Sequence, residues 1–210
     1  MPKTLLVKNA DVLVTMDAAR REIRNGGLFV ADHSIVAVGP TADLPQTADQ
    51  VLDLKGHIVI PGLINTHHHM FQTLTRAWPA AQNVELFDWL TALFPVWQRL
   101  TPDMIKVSTK TAMAELILSG CTTTMDHLYL YPNGCRLDDE VEAAREIGMR
   151  FHASRGAMSV GVSKGGCRQT AWSRTRRRSS RTCCVSSTRI TMLAGFRCCA
   201  SWLRRARRSR

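Results

Sequence analysis

At 210 residues with 45% hydrophobic content, the chain has the length and apolar share of a globular protein of one or two domains. Its formal net charge of +11 points to nucleic acid or an anionic membrane surface, but that charge is divided along the chain. Residues 1–166 hold 15 Lys and Arg against 17 Asp and Glu, whereas residues 167–210 hold 13 Arg and no acid, which excludes a uniformly basic domain.

Apolar runs all fall short of the ~18 residues that span a bilayer. Met1 to Val14 carries Lys8 and Asp11 inside its apolar pattern, unlike a signal peptide. Cys121 and Cys135 are the only cysteines before residue 167, which fits a reducing cytoplasm.

Residues 1–60 read as short strands. Leu5 to Val7 and Val12 to Val14 flank the turn-prone Asn9-Ala10-Asp11, and Asn25-Gly26-Gly27 is a hairpin signal. Leu28 to Val30 and Ile35 to Val38 flank Asp32-His33-Ser34, and Val51 to Leu54 and Ile58 to Ile60 flank Lys55-Gly56. The expectation is a small antiparallel β unit, with His33 and His57 solvated in its turns.

The run Ile58-Val59-Ile60 then leads through Pro61-Gly62 into Leu63-Ile64-Asn65-Thr66-His67-His68-His69. Alternation along an extended chain puts His67 and His69 on one face and His68 on the other. Two imidazoles so placed can share one metal ion. A polar loop or a pH-sensitive histidine cluster is the competing reading.

Leu86 to Leu100 has apolar and aromatic residues at helical spacing and is expected to break at Pro95. Trp78, Trp89 and Trp97 read as core. Thr101 is an N-cap with Pro102 at the first helical position, and the helix that follows buries Ile105, Met113, Leu116 and Ile117 before a stop at Gly120. Cys121 to His127 is a β-branched strand ending in polar residues. Leu137 to Gly148 is an amphipathic helix, and Met149 to Arg155 is a third strand. Strands alternating with helices imply a parallel sheet built from βαβ units.

Pro61-Gly62-Leu63-Ile64-Asn65-Thr66-His67-His68-His69 resembles the Pro-Gly-hydrophobic-hydrophobic-(Asp/Asn)-x-His-x-His motif of the amidohydrolase superfamily. Gly120-Cys121-Thr122-Thr123-Thr124-Met125-Asp126 is similar to that superfamily's second barrel strand. Met70 to Ala77 looks most like its 8-oxoguanine deaminase and hydroxyatrazine-hydrolase-like branch. The resemblance covers residues 1 to about 166. It implies an α/β fold, with a small β-sandwich over 1–60 followed over 61–166 by the first strands and helices of a (β/α)8 TIM-type barrel. In such a barrel the site lies at the C-terminal ends of the strands.

The resemblance further implies His67 and His69 as ligands of one divalent metal ion, zinc or else iron. It implies hydrolytic loss of ammonia from a purine-like or triazine-like heterocycle, and homo-oligomers for the full-length family. Gln72 is implied as a substrate contact. His127 and Arg155, at the ends of the second and third strands, are candidates for the same role, each set against a plain structural hydrogen bond. Asp126 reads as orienting its surroundings, His68 as packing behind the ligands, and His152 has no assigned role. The family's remaining ligands and its acid/base glutamate lie on later strands that have no counterpart in this sequence, so the expectation is an incomplete and inactive fragment.

Residues 167–210 hold five of the seven cysteines and show neither periodicity nor balanced charge. Such a composition is typical of GC-rich DNA read out of frame. Gly166 to Arg174 can be written with codons that, read one nucleotide back, give Leu-Pro-Pro-Asp-Ser-Val-Val-Glu, an acidic loop of the kind the family carries. The expectation is a missense tail beginning near Gly166. The alternative is a noncatalytic metal- or nucleic-acid-binding protein whose arginine-rich tail grips phosphate.

Overall fold

The structure is a computed structural model, and residues 3–158 are described. The expectations for residues 167–210, both the missense tail and the nucleic-acid arm, lie outside the described residues. The chain divides into two compact units, one running to Gly62 and one starting at Leu63.

The first unit is a single five-stranded sheet. Its strands are β1 (Thr4–Val14), β2 (Glu22–Ala31), β3 (Ser34–Pro40), β4 (Gln50–Asp53) and β5 (Ile58–Val59). The order is β3-β2-β1-β4, with β5 also on β1. The sheet is mixed, because β1 pairs antiparallel with β2 but parallel with β4 and β5.

Two expected turns are absorbed into strands. Asn9-Ala10-Asp11 lies inside β1, where Asn9 takes φ 59° and the register shifts between Val7 and Ala10. The irregularity bends one strand where two had been expected. Asn25-Gly26-Gly27 lies inside β2, where a Cβ on Gly27 would sit 2.8 Å from Leu44 Cδ1, so its glycine serves close packing. The turn at Asp32-His33 forms as expected, with Asp32 at φ 54° and His33 exposed.

In the second unit β6 (Leu63–Asn65), β7 (Cys121–Leu128) and β8 (Arg150–Arg155) form an all-parallel sheet in chain order. A 3-10 turn over Met70–Thr75 and the helices α1 (Leu86–Trp97) and α2 (Pro102–Leu118) lie between β6 and β7 in the chain, and α3 (Leu137–Ile147) lies between β7 and β8. Each strand thus reaches its parallel neighbour through a helical crossover. Ile58-Val59, expected to lead into the histidines, pairs with β1 in the first unit, and β6 begins only after Pro61-Gly62.

Local chemistry sets the helix ends. Thr101 Oγ1 accepts the Met104 N–H at 3.3 Å, capping α2, and Gly148 closes α3 at φ 78°. Pro95 does not stop α1, which runs on to Trp97; so near the C-terminus its missing N–H costs one bond of the last turn. Phe71, Leu93, Phe94, Trp97, Leu100, Ile105, Leu128, Leu130 and Leu137 pack as one core cluster. Ile105 and Met113 are buried as expected, whereas Ile117 is 41% exposed. Trp97 is fully buried, but Trp78 is 42% exposed and so is not core. No helix among the described residues is long and apolar enough to cross a membrane.

Candidate metal and substrate site

The parallel register brings three strand ends to one edge. His127 pairs in register with Ser154, and Leu128 with Arg155. The first strand is short, since β6 stops at Asn65, but its extended path continues: the His127 N–H donates to the His68 carbonyl at 3.0 Å. Alternation therefore survives past the strand end. The His67 and His69 rings lie edge to face with centroids 5.2 Å apart, while His68 Nδ1 is 4.0 Å from Asp126 Oδ1.

A carbonyl oxygen only accepts, so the 2.9 Å contact between His69 Nδ1 and the His127 carbonyl places the proton on Nδ1. The Nε2 lone pair is left available. Metal-bound histidines are held in this way, the second ring nitrogen donating to a carbonyl that fixes tautomer and orientation. His67 and His69 thus fit a metal ion in donor type and spacing. Among the described residues, no group of three His, Cys, Asp or Glu side chains is placed to hold one. His67 and His69 would provide two ligands of the usual three.

Around His69 the side chains are aromatic. Its ring lies 5.5 Å from His127 and 5.1 Å from Tyr129, and Phe71 packs on Tyr129 at 5.2 Å. Gln72 Nε2 donates to the Tyr129 hydroxyl at 3.0 Å. The guanidinium of Arg155 sits 4.4 Å from the centroid of the Tyr131 ring, a cation–π contact. Gln72 and His127 thus join the histidines through Tyr129, while Arg155 joins the same edge through Tyr131. Both tyrosines escaped the sequence reading. The signal was present, because Tyr129 and Tyr131 follow His127 at period-two spacing just past the end of β7, and the His127 and Tyr129 rings lie 5.6 Å apart.

Burial lowers the pKa of His127 below the ordinary histidine value, and the charges of His69 and His67 lower it further. A neutral imidazole both donates and accepts. Gly156 leaves room for this ring. A Cβ there would meet the tip of the His127 ring and lie 2.7 Å from Tyr129 Cβ.

The other face of β7 carries Asp126, fully buried between the sheet and the helices. It orients a neighbour, as expected, since its Oδ1 accepts the Met70 N–H at 2.6 Å. His68 is lowered in pKa, chiefly by burial, and stands behind His67 and His69 in this layer.

A parallel sheet with helical crossovers, and paired histidines just past the C-terminal end of its first strand, has the arrangement of an incomplete α/β barrel. Residues 58–197 match the amidohydrolase family, and the chain belongs to it. That match runs past Gly166, where the motif-level resemblance stops. An 8-oxoguanine deaminase of Pseudomonas aeruginosa is 49% identical over 144 residues, covering 67% of this chain and 32% of the relative. A hydroxydechloroatrazine ethylaminohydrolase of Pseudomonas sp. (strain ADP) is 35% identical over 177 residues, covering 77% of this chain and 36% of the relative. Among solved structures, an atrazine chlorohydrolase from Arthrobacter aurescens TC1 complexed with zinc superposes with a TM-score of 0.76. The two are 30% identical, over 85% of this chain and 41% of that one. The chain thus spans about a third of the length of the curated relatives it matches.

Proposed function

We propose that this chain carries the first two metal ligands and part of the substrate pocket of an aminohydrolase. The reaction is hydrolysis of a non-peptide C–N bond on a purine-like or triazine-like ring, in which water adds oxygen to a ring carbon and ammonia or an amine leaves. The observation that carries the reading is the His69 Nδ1–H bond to the His127 carbonyl, which prepares Nε2 as a ligand beside His67.

His67 and His69 would hold one divalent cation, zinc by the chemistry of the donors and by the zinc-bound relative, with iron as the alternative. Such an ion supplies Lewis acidity and lowers the pKa of water enough for attack near neutral pH. The chain's own residues bind and orient. The Gln72 amide, held by Tyr129, offers a fixed hydrogen-bonding edge to a heterocycle. Neutral His127 offers a second polar contact, and Arg155, steadied on Tyr131, offers a cation for an electron-rich edge. None of these residues is assigned the acid/base role.

In this reading residues 1–60 are a separate small β domain, 61–166 carry the barrel portion, the location is cytoplasmic, and homo-oligomers belong to the full-length family. Residues 167–210 are a frame-shifted tail. The coding DNA around Gly166 tests this last point: read one nucleotide back, it should continue as barrel-like strands, and an early stop there overturns it.

The functional reading is tested on the purified chain by zinc titration and by ammonia release from 8-oxoguanine and hydroxyatrazine. Expected are saturable zinc uptake that is lost in His67→Ala and His69→Ala and, where turnover occurs, its dependence on added zinc. Absence of zinc and iron uptake by the folded wild type overturns the metal assignment.

A further inference from the structure

Behind the histidine pair lies a second group of ionisable side chains that metal binding does not use. Asp126 on β7 and Glu140 on α3 are both fully buried. The two carboxyls meet within hydrogen-bonding reach. As two carboxylates they have no donor between them, and Asp126 Oδ2 and both Glu140 oxygens are left without a partner. Two like charges at this separation, buried from water, are not both ionised. One proton between them turns a repulsion into a hydrogen bond and satisfies two of the stranded oxygens. Burial drives Glu140 well above the ordinary glutamate value, and Asp126, with the Met70 N–H lowering its pKa, rises less, to about 7. The Met70 N–H already donates to Asp126 and favours its charged form, whereas neither Glu140 oxygen has a donor, so the proton rests on Glu140 and Asp126 is the acceptor.

Asp126 acts on the residue that follows His69. Met70 is gripped on both sides of its backbone: its N–H donates to Asp126 Oδ1 at 2.6 Å, and its carbonyl accepts from Ser108 Oγ on α2 at 2.6 Å. Its side chain is fully buried. A residue held this way fixes the backbone at which His69 leaves the strand.

We infer that a protonated Glu140 and Asp126 form a positioning pair, in which Glu140 aims the Asp126 carboxylate at the Met70 N–H and thereby sets the geometry of the His67–His69 metal pair. Neither residue touches metal or substrate; both act through Met70. The inference rests on the metal reading above only for its consequence at the histidines, because the grip on Met70 exists without metal.

Two substitutions of Glu140 separate positioning from mere stability. Glu140→Gln keeps a donor toward Asp126. Glu140→Leu removes it and leaves the buried Asp126 carboxylate without that donor, a change expected to cost stability as well as orientation. The measurements are the amide proton shift of Met70 in metal-free protein, the zinc dissociation constant, and the melting temperature, all on the full chain. Expected for Glu140→Gln are a Met70 amide kept far downfield and a zinc constant within about twofold of wild type. Expected for Glu140→Leu are an upfield shift of that amide and zinc binding weakened about tenfold, both read well below its lowered melting temperature, where the variant is folded. The inference is overturned if Glu140→Leu leaves the Met70 amide in place, or if the two variants move it equally. If wild type takes up no zinc, the metal reading fails, and the amide shifts still decide for or against the pair.

Discussion

His69 donates from Nδ1 to the His127 carbonyl, whereas His68, one residue earlier, is turned into the layer that holds Asp126. Neighbouring imidazoles therefore face different surroundings, and substitution should distinguish them. His69→Gln is expected to lower zinc affinity by at least tenfold and His68→Gln by no more than about twofold, as read by competition with a chromogenic chelator. Gly156 offers a second contrast. An alanine Cβ there crowds the His127 ring and Tyr129 Cβ, while one at Gly39 meets nothing within 4 Å. Urea denaturation should show Gly156→Ala destabilised by about 1–3 kcal/mol, as for other overpacked sites, and Gly39→Ala close to wild type. The His-x-His pair was legible in the sequence because alternation is a local property of extended chain. The roles of Gly156 and Tyr129 were not legible, because they depend on what lies across from them rather than beside them.

Elements show the same division between local and distant causes. The start of α2 was readable from Thr101-Pro102, a cap followed by a residue that needs no N–H, and the structure bears this out at 3.3 Å. Thr101→Ala is expected to cost about 1 kcal/mol, measured by thermal or urea denaturation, because the Met104 N–H loses its acceptor. The left-handed stop at Gly148 was readable for the same reason. The partners of β1 were not. Its antiparallel pairing with β2 follows from chain proximity, but its parallel pairing with β4 and β5 depends on contacts some 45 residues away in sequence. Asn9-Ala10-Asp11 has turn composition and still became part of a strand, because pairing on both sides outweighs a local preference. Pro95 was read as a breaker from its chemistry alone, yet it falls in the last turn, where the buried Leu93, Phe94 and Trp97 keep the helix in place.

At the scale of the molecule, carboxyl groups pull stability in two directions as pH changes. Asp17, Asp49, Glu115 and Glu146 sit below their ordinary values because Arg21, Thr4, Arg76 and Lys106 donate to them. Their contribution is present above the unfolded carboxylate pKa and is lost as pH falls below about 4. These groups lie at the surface, where each ion pair is worth little. The buried pair has the opposite sign. Asp126 rises to about 7 and Glu140 lies well above its ordinary value, so the folded state holds protons that the unfolded chain has already released. Their contribution is complete below about pH 4 and is lost as pH climbs through 7. His68 and His127, both lowered by burial, work against this trend, since their stabilisation fades as pH falls below about 6.5. The total curve therefore mixes several groups, and a difference isolates the pair. The double variant Asp126→Asn/Glu140→Gln keeps the shapes and titrates at neither position. Its stability relative to wild type, measured by urea denaturation at each pH, should rise steadily from pH 4 to pH 8. A flat difference would mean that the two carboxyls ionise in the fold as they do in the unfolded chain, which their complete burial opposes, since His68, 4.0 Å from Asp126, is itself held toward its neutral form by burial.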